Sequence, residues 1–293
     1  AFDYCLKLET VEFQEDSELD EISNNSFTHT KIQNIKIPPN VTVIGKFAFS
    51  TCKLLKNIEI PTNSQLQKLG TCALTQSQIE DLFIPSHFCE LEKGWCTEAN
   101  YLKNITISQE NKKFIFIDYQ ILYSKSDINS NNYNVIEYVV PSIRKVVIPS
   151  YVTKIGSCAF SNCLKVVSFE IQKNSQLKEI DKLGFAKIPI KKIRIPLNLI
   201  TIGEYAFFKS KLELIEFPEN AELQVIKANA FYSTAVKSLF ITPKVTTIEE
   251  EAFEKSSIII VEISEKSNLK SFNGMKKLKK AIIMVPVNFN INF

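Results

Sequence analysis

The most regular feature of the chain is an apolar-x-apolar triplet that, apart from one interruption, returns every 20 to 24 residues. A further apolar residue stands three positions before each triplet, so the unit reads LxxIxI. Because alternate strand residues point to opposite faces, each unit predicts a short strand with its apolar side chains toward a core. Such a period is typical of a solenoid, in which each turn contacts only its neighbours. The predicted strands lie at 11–13, 35–37, 58–60, 82–84, 105–107, 146–148, 169–171, 193–195, 215–217, 239–241, 261–263 and 281–283.

The segments between these strands carry a second pattern, an Ala-Phe pair that would stack one aromatic ring per turn. Rings at one level would fill the space behind the strands. Gly also recurs after Ile or Leu and would suit a left-handed turn, although other repeats have Ser, Asp, Lys or Glu there, so Gly is favoured rather than required. The predicted ladder consists of Phe2, Phe49, Phe160, Phe185, Phe207, Phe231 and Phe253.

The units "IPPNVTVIGKFAFSTCKLLKNIEIP" and "LQVIKANAFYSTAVKSLFITP" resemble BspA-like leucine-rich repeats, which occur in surface proteins of bacteria and parasitic protozoa. The resemblance covers almost the whole chain. It implies a leucine-rich-repeat solenoid, a right-handed curved superhelix with short parallel strands on the concave face and loops and short helical turns on the convex side. We therefore expect one solenoid over 1–293, built from about twelve repeats.

Two places depart from the plain repeat. At 86–107 Trp95 stands where a ladder Phe is expected, and it is predicted to be a core residue. At 108–142 an inserted hairpin-like segment separates an N-terminal from a C-terminal block of repeats. In it, 114–124 and 135–141 are predicted as two strands joined by a polar segment. This resembles a hairpin-bearing variant of the family, with Tyr119 in place of the usual Gly. We expect a protruding flap, most mobile at 126–134.

Net charge and the length of the apolar runs indicate neither a nucleic-acid partner nor a membrane span. The chain is 45% hydrophobic and has a net charge of +3, so nucleic acid is not an expected partner. No apolar run is long enough to span a membrane, and no signal peptide precedes the first repeat. Because the chain starts inside a repeat, we interpret it as a piece of a longer protein, in which membrane contact would come only through flanking segments. The basic segment 276–280 is expected to be a solvated edge, with attraction to an anionic membrane or a glycosaminoglycan as the alternative. The apolar tail 281–293 is expected to cover the end of the stack.

Candidate chemical groups are sparse. The seven cysteines form no CxxC pair, and those at repeated positions are predicted to be small buried hydrophobes, with a Cys89–Cys96 disulfide left open. His29 and His87 lie in loop-like stretches without ligand spacing, and Cys89 near His87 is a weak candidate nucleophile. No catalytic residue, metal site or cofactor is therefore expected. The sequons at Asn24, Asn40 and Asn104 would accept glycans only in a secreted protein.

The residues that the repeat leaves variable are the candidates for function. The outward residues of successive triplets would place Lys36 between Glu12 and Glu59, and Arg194 between Glu170 and Glu216. Cross-strand charge pairs and solubility explain part of this pattern, but exposed apolar residues among the charges are typical of protein-binding patches. The candidate protein-binding residues are Lys192, Arg194, Leu214, Glu216, Phe240, Ile260, Phe83 and Glu170.

These features predict a non-catalytic protein-recognition module. By resemblance, the parent protein would be a cell-surface or secreted adhesin that binds host or microbial surface proteins or the extracellular matrix. The alternative is an intracellular leucine-rich-repeat scaffold or assembly protein that uses the same face.

Overall fold

The computed structural model describes residues 1–270 and 282–285. The basic segment 276–280 and all of the tail except 282–285 lie outside the described residues, so the expectations for them stay predictions. The chain forms two compact units. Unit 1 comprises Ala1–Tyr133 and Glu137–Pro141, and unit 2 comprises Asn134–Ile136 and the chain from Ser142 onward.

Both units are built from short strands joined by turns, and the described residues contain 23 strands. In chain order these are β1 (Glu21–Ile22), β2 (Asn34–Lys36), β3 (Val43–Ile44), β4 (Asn57–Glu59), β5 (Lys68–Leu69), β6 (Asp81–Ile84), β7 (Glu90–Leu91), β8 (Asn104–Ile107), β9 (Phe114–Ile117), β10 (Ile121–Ser124), β11 (Val135–Val139), β12 (Lys145–Ile148), β13 (Lys154–Ile155), β14 (Ser168–Ile171), β15 (Glu179–Ile180), β16 (Lys192–Arg194), β17 (Thr201–Ile202), β18 (Leu214–Glu216), β19 (Val225–Ile226), β20 (Ser238–Ile241), β21 (Thr247–Ile248), β22 (Ile260–Ile263) and β23 (Ile282–Met284).

The LxxIxI units form the strands that we call the front strands, namely β2, β4, β6, β8, β12, β14, β16, β18, β20, β22 and β23. Their pairing is parallel and in register, so that Ile35 lies opposite Ile58 and Ile193 opposite Ile215. Side chains alternate as predicted, because Ile35 is buried while its neighbour Lys36 is exposed. The parallel solenoid of a leucine-rich-repeat protein is thereby confirmed.

The first predicted strand, 11–13, is not formed. Backbone hydrogen bonds still join the first turn to the next, from the Phe2 N–H to the Ser26 carbonyl at 2.8 Å, from the Tyr4 N–H to the Thr28 carbonyl at 3.0 Å and from the Lys31 N–H to the Leu8 carbonyl at 2.8 Å. Pairing on the front side begins with β2 and β4.

Behind the front strands runs a second row of two-residue strands, which we call the rear strands: β1, β3, β5 and β7 in unit 1, and β13, β15, β17, β19 and β21 in unit 2. They are also parallel, with Ile44 opposite Leu69 in unit 1 and Ile202 opposite Ile226 in unit 2. The described residues contain no helix. The short helical turns implied by the family resemblance are therefore absent from this part of the chain.

The Ala-Phe pairs lie in five-residue turn segments that begin and end with a left-handed residue. In the segment 47–51, Phe47 has a φ of 56° and Thr51 a φ of 60°. Its alternate N–H groups donate to the next turn, from Phe47 to Thr71 and from Phe49 to Ala73, both at 2.9 Å. A ladder between turns, rather than a helix, thus satisfies the backbone here. The turn segments are 25–29, 47–51, 72–76, 94–98, 158–162, 183–187, 205–209, 229–233 and 251–255.

The aromatic ladder is present within each unit. In unit 2 the rings stack at 5.0–5.5 Å between centroids over the four steps from Phe160 to Phe253. In unit 1, Phe27 joins the ladder between Phe2 and Phe49, a member that the sequence pattern missed. Apart from Phe2, the predicted ladder rings are fully buried and form the centre of each core.

Trp95 is buried, as predicted, but it does not replace a ladder Phe. The Leu74 N–H donates to the Trp95 carbonyl, which puts Trp95 at the Ala position of the turn segment and Cys96 at the Phe position. The indole then packs edge-on against Tyr138 at 5.8 Å. A large ring can occupy the Ala position here because the inserted segment covers it.

In the inserted segment, 114–124 is itself a hairpin rather than one strand. β9 runs antiparallel to β10, with Ile117 opposite Ile121. Asp118 and Tyr119 adopt φ values of 52° and 54° in the turn between them. The later segment also packs here, since the Ser124 hydroxyl donates to the Glu137 carboxylate at 2.6 Å.

The cysteines follow the prediction only in part. Cys52 and Cys163 are buried, whereas Cys72 and Cys158 are half-buried and Cys5 is exposed. Cys5 lies in the first turn, and Cys72 and Cys158 open turn segments with positive φ, where the side chain points away from the core. None of the seven cysteines forms a disulfide, and Cys89 is exposed while Cys96 is buried. Burial raises the pKa of the Cys163 thiol to about 12.

Candidate functional site

Seven of the eight candidate binding residues lie on front strands of unit 2, and Phe83 lies on β6 of unit 1. Strands β16, β18, β20 and β22 carry six of the seven, and β14 carries Glu170. We call these six residues the strand-face patch: Lys192, Arg194, Leu214, Glu216, Phe240 and Ile260.

Charge and apolar surface alternate across β16 and β18. The register places Lys192 opposite Leu214, and Arg194 opposite Glu216. The Glu216 carboxylate is bound diagonally by the Lys192 ammonium, with Nζ 2.5 Å from Oε1. The Lys192 side chain is 57% exposed and the Glu216 side chain 41% exposed. This ion pair holds both charged side chains against the strand face. The Leu214 side chain, opposite Lys192, stays 39% exposed.

Two further apolar residues of the patch lie on β20 and β22, which no described strand ladder joins to β18. Ile260 is 37% exposed, and Phe240 is half-buried on β20 opposite Glu262. Beyond Ile260 the register continues to Ile282, which is 66% exposed. Sequence reasoning recognised Ile282 as an outward residue but did not include it in the candidate set. It missed Met284, which is also exposed and lies opposite Glu262 on the neighbouring strand.

The predicted alternation of opposite charges along the outward positions forms only in part. Lys36 lies opposite Glu59, with Nζ 3.4 Å from Oε1, whereas Glu12 is on no strand. Glu170 lies opposite Val147, and the described strand ladders do not join β14 to β16. The register therefore places Arg194 beside Glu216 but does not place it beside Glu170.

The residues considered for catalysis or metal binding are not brought together. The His29 ring stacks on the Tyr4 ring with 4.2 Å between centroids. The His87 Nδ1 forms a hydrogen bond of 3.0 Å with the hydroxyl of its neighbour Ser86. Within residues 1–270 and 282–285, no three His, Cys, Asp or Glu side chains cluster as metal ligands would. In the same part of the chain, no helix has the length and apolar character needed to cross a membrane.

The side-chain amides of the three sequon asparagines each form a hydrogen bond, but through different atoms. Asn24 is exposed, but its Oδ1 accepts the Lys46 N–H at 2.6 Å. Asn40 donates to the Ser17 carbonyl at 3.2 Å. Asn104 is half-buried on β8 and donates to the Asp81 carboxylate at 3.1 Å. A glycan would be attached to Nδ2, the atom that Asn40 and Asn104 use as a hydrogen-bond donor, whereas Asn24 uses only its Oδ1.

Solved structures with the same fold come from bacteria. The chain is 22% identical to pneumococcal vaccine antigen PcpA, with a TM-score of 0.62, covering 89% of this chain and 57% of that one. It is 18% identical to a leucine rich cell surface protein from Faecalibacterium prausnitzii A2-165, with a TM-score of 0.61, covering 99% of this chain and 76% of that one. It is also 18% identical to a leucine-rich repeat protein from Eubacterium ventriosum ATCC 27560, with a TM-score of 0.57 and 80% of each chain covered. The chain thus spans little more than half the length of the PcpA structure.

No curated protein sequence matches the chain. The family model described as "BspA type Leucine rich repeat region" matches in six copies over residues 1–129 and 134–260. These ranges contain most of the front strands, the rear strands and the turn segments described above. The chain belongs to the BspA-type leucine-rich-repeat family.

Proposed function

We propose that this chain is the recognition module of a cell-surface or secreted adhesin and that it contacts a partner protein through the strand-face patch. Leucine-rich-repeat solenoids are generally non-catalytic binding scaffolds. Two of the structural relatives are described as a vaccine antigen and a cell surface protein, which supports display outside the cell. Host, matrix and microbial surface proteins are the expected partner classes.

The observation that carries the proposal is the exposed apolar surface on strands whose other outward residues are charged. Leu214 and Ile260 gain nothing from their exposure in the isolated solenoid. Covered by a partner, they would form an apolar centre, with Lys192, Arg194 and Glu216 around it as a polar rim. Arg is well suited to this position because its guanidinium can bind a partner carboxylate with two hydrogen bonds.

The test is binding of the purified chain to fixed mammalian and bacterial cells and to immobilised extracellular-matrix extract, with and without trypsin treatment of those surfaces. The double variant Arg194→Glu with Phe240→Ala should reduce binding at least tenfold. Its unfolding temperature should fall by only about 2–4 °C, because the two side chains contribute little to the core. Trypsin treatment of the target surface should abolish binding by the unmodified chain.

Lys36→Glu is the matched control, because it reverses a charge at the same strand position in unit 1 and should leave binding unchanged. Phe83→Ala tests separately whether the half-buried outward aromatic of β6 in unit 1 contributes. Binding that survives the double variant would refute the patch. Binding that survives trypsin would show that the ligand on these surfaces is not a protein.

A further inference from the structure

The loops that follow the LxxIxI units repeat one feature in both units. In three successive loops of each unit, an apolar residue is followed three positions later by Asn or Asp. These loops form a groove in unit 1 and a groove in unit 2, and every residue that lines the first has a counterpart at the equivalent position in the second. The repeat itself therefore builds the groove, and the residue types in it are what differ. The loop positions are 13–16, 37–40 and 60–63 in unit 1, and 171–174, 195–198 and 217–220 in unit 2.

In unit 2 this groove lies between the loops 171–176, 194–198 and 218–220, and we call it the loop groove. Its volume of about 640 Å³ is within the range of ligand sites. The Asn198 Nδ2 donates to the Ser175 carbonyl at 2.7 Å, which ties the first two loops together. The pairing of β16 with β18 holds the third loop beside them. The walls of the loop groove are therefore held in place before any ligand binds.

Two cations and no carboxylate line the loop groove. Lys173 and Arg194 are both exposed, and among the described residues neither forms an ion pair or a side-chain hydrogen bond. The Glu216 carboxylate lies opposite Arg194 but is bound by the Lys192 ammonium at 2.5 Å. An unpaired guanidinium at the wall of a groove can bind a carboxylate with two parallel hydrogen bonds.

The equivalent groove of unit 1 shows that these unpaired cations are not a requirement of the repeat. Glu15 stands there at the position of Lys173, and Lys36 at that of Arg194. Lys36 is paired with the Glu59 carboxylate at 3.4 Å. The volume of the unit 1 groove is also smaller, about 260 Å³. Attraction for anions is therefore specific to the loop groove of unit 2.

The surroundings of the loop groove favour a short acidic peptide over a continuous polyanion. The carboxylates of Glu170, Glu216 and Glu219 each stand within two residues of a lining residue without being part of the lining. A sulfated glycan that extends past the two cations would be repelled by these carboxylates. A peptide can present one or two carboxylates to the groove and uncharged residues to its flanks. Its backbone can also pair with the exposed side-chain amides of Asn174 and Asn220.

We propose that the loop groove binds an acidic segment of the partner protein, with Arg194 and Lys173 as the carboxylate-binding residues. The proposal rests on the proposed function, since Arg194 also belongs to the strand-face patch and both surfaces would contact one partner. Pro196, Pro218 and Leu197, which is 42% exposed, give the segment an apolar surface beside the cations. The partner is thereby expected to carry acidic residues next to the apolar group that covers the strand-face patch.

Proton–nitrogen NMR spectra of the isotope-labelled full chain provide the test. The probe is the peptide acetyl-GDAEGDA-amide, and its matched comparison acetyl-GNAQGNA-amide replaces each acid by the corresponding amide. The acidic peptide should shift the resonances of the loops 171–176 and 194–198, and the uncharged peptide should not. Lys173→Glu should weaken binding of the acidic peptide at least about tenfold, because it replaces an attraction by a repulsion.

Lys36→Glu is the matched control, because it reverses the charge at the position equivalent to Arg194 in the unit 1 groove. It should leave peptide binding unchanged, and thermal unfolding should show every variant folded. The proposal is overturned if the acidic peptide shifts no resonance of the loop groove at millimolar concentration or if both peptides bind alike. It is also overturned if a heparin tetrasaccharide binds in the loop groove more tightly than the peptide, or if Lys36→Glu weakens the peptide as much as Lys173→Glu.

Binding to cell surfaces separates this proposal from the proposed function. Leu214→Ala changes the strand-face patch outside the groove, so it should weaken cell binding and leave peptide binding unchanged. Lys173→Glu should weaken both. Cell binding that survives Lys173→Glu overturns the loop groove alone. If the unmodified chain binds no cell surface, the proposed function fails, and with it the assignment of the groove to the same partner, even where the acidic peptide binds.

Discussion

At the scale of single residues, the recurring glycines show how closely successive turns approach. Gly45, Gly70 and Gly203 do not have positive φ. A Cβ added to Gly70 would lie 2.6 Å from the Gly45 carbonyl carbon, and one added to Gly203 would lie 2.6 Å from that of Asp181. The left-handed turn that would suit Gly is therefore the wrong explanation. Gly is favoured because the backbone of the preceding turn occupies the space of a side chain.

The Gly70→Ala substitution should consequently destabilise the fold. Because the neighbouring atoms are backbone rather than flexible side chain, the strain should cost about 1–3 kcal/mol, more than Ala recovers by restricting the unfolded chain. Urea unfolding measures the difference. Lys227→Ala is the control at the same repeat position and should change the midpoint little. A Gly70→Ala protein as stable as the parent would show that the turns are not in close contact.

The sequence predicts the position of a side chain well where a single packing requirement determines it. The ladder Phe residues and the inward Ile residues of the front strands are examples. Prediction fails where the position of a side chain depends on contacts from another turn or segment. Trp95 occupies the Ala position only because Tyr138 packs against it from a segment more than 40 positions later. The aromatic residues that follow the ladder Phe in two successive turns, Phe208 and Tyr232, also escape detection, because a periodic pattern averages out a change at one position.

At the scale of elements, the residue directly after a rear strand joins one turn to the turn before it. This position holds Gly in some turns and a side chain that caps the previous turn in others. Glu92 is one such cap, because its Oε2 accepts the Thr71 N–H at 2.8 Å and the Thr71 hydroxyl at 2.7 Å. Glu249 accepts the Ala228 N–H in the same way at 2.9 Å. In turns without Gly at this position, a side-chain cap therefore replaces the close backbone contact that Gly allows.

The Glu92 cap makes stability depend on pH. The Lys68 ammonium, 2.5 Å from Oε1, together with the Thr71 hydrogen bonds, lowers the pKa of the Glu92 carboxyl to about 2. Because the folded pKa lies below the unfolded one, the contribution is complete above about pH 5 and is lost as the pH falls toward 2. Glu92→Gln should cost roughly 1–2 kcal/mol at pH 7 and much less near pH 2.

Urea midpoints at the two pH values measure this difference. Glu90→Gln removes the more exposed partner of the same lysine, 3.2 Å away, and should matter less at both pH values. A Glu92→Gln penalty of equal size at pH 7 and pH 2 would show that the carboxylate charge is not what stabilises the turn.

The strands themselves show why the fold is easier to predict than its details. A period of 20 to 24 residues with LxxIxI predicts the front strands, and eleven of the twelve are formed. The rear strands have only two residues each, too few for a periodic signal. Segment 114–124 resembles one strand in sequence because β9 and β10 are both apolar, and the turn between them uses Asp118 and Tyr119 rather than Gly.

At the scale of the whole molecule, the repeat is scaffold and its exceptions are the candidates for recognition. The strand-face patch can be predicted residue by residue because outward positions can be counted along LxxIxI. Its extension to Met284 could not be predicted, since it depends on which strands pair, and the strand ladders join neither β14 to β16 nor β18 to β20. The central claim is that this chain is the displayed, binding part of a surface protein.

Antibody labelling of intact source cells with a serum raised against this chain tests that claim most directly. Permeabilised cells measure the total amount of protein, and an antibody to a cytosolic protein controls for leakage. We expect strong labelling of intact cells, which brief protease treatment of the cells removes. Labelling that appears only after permeabilisation would contradict the surface assignment and favour an intracellular scaffold.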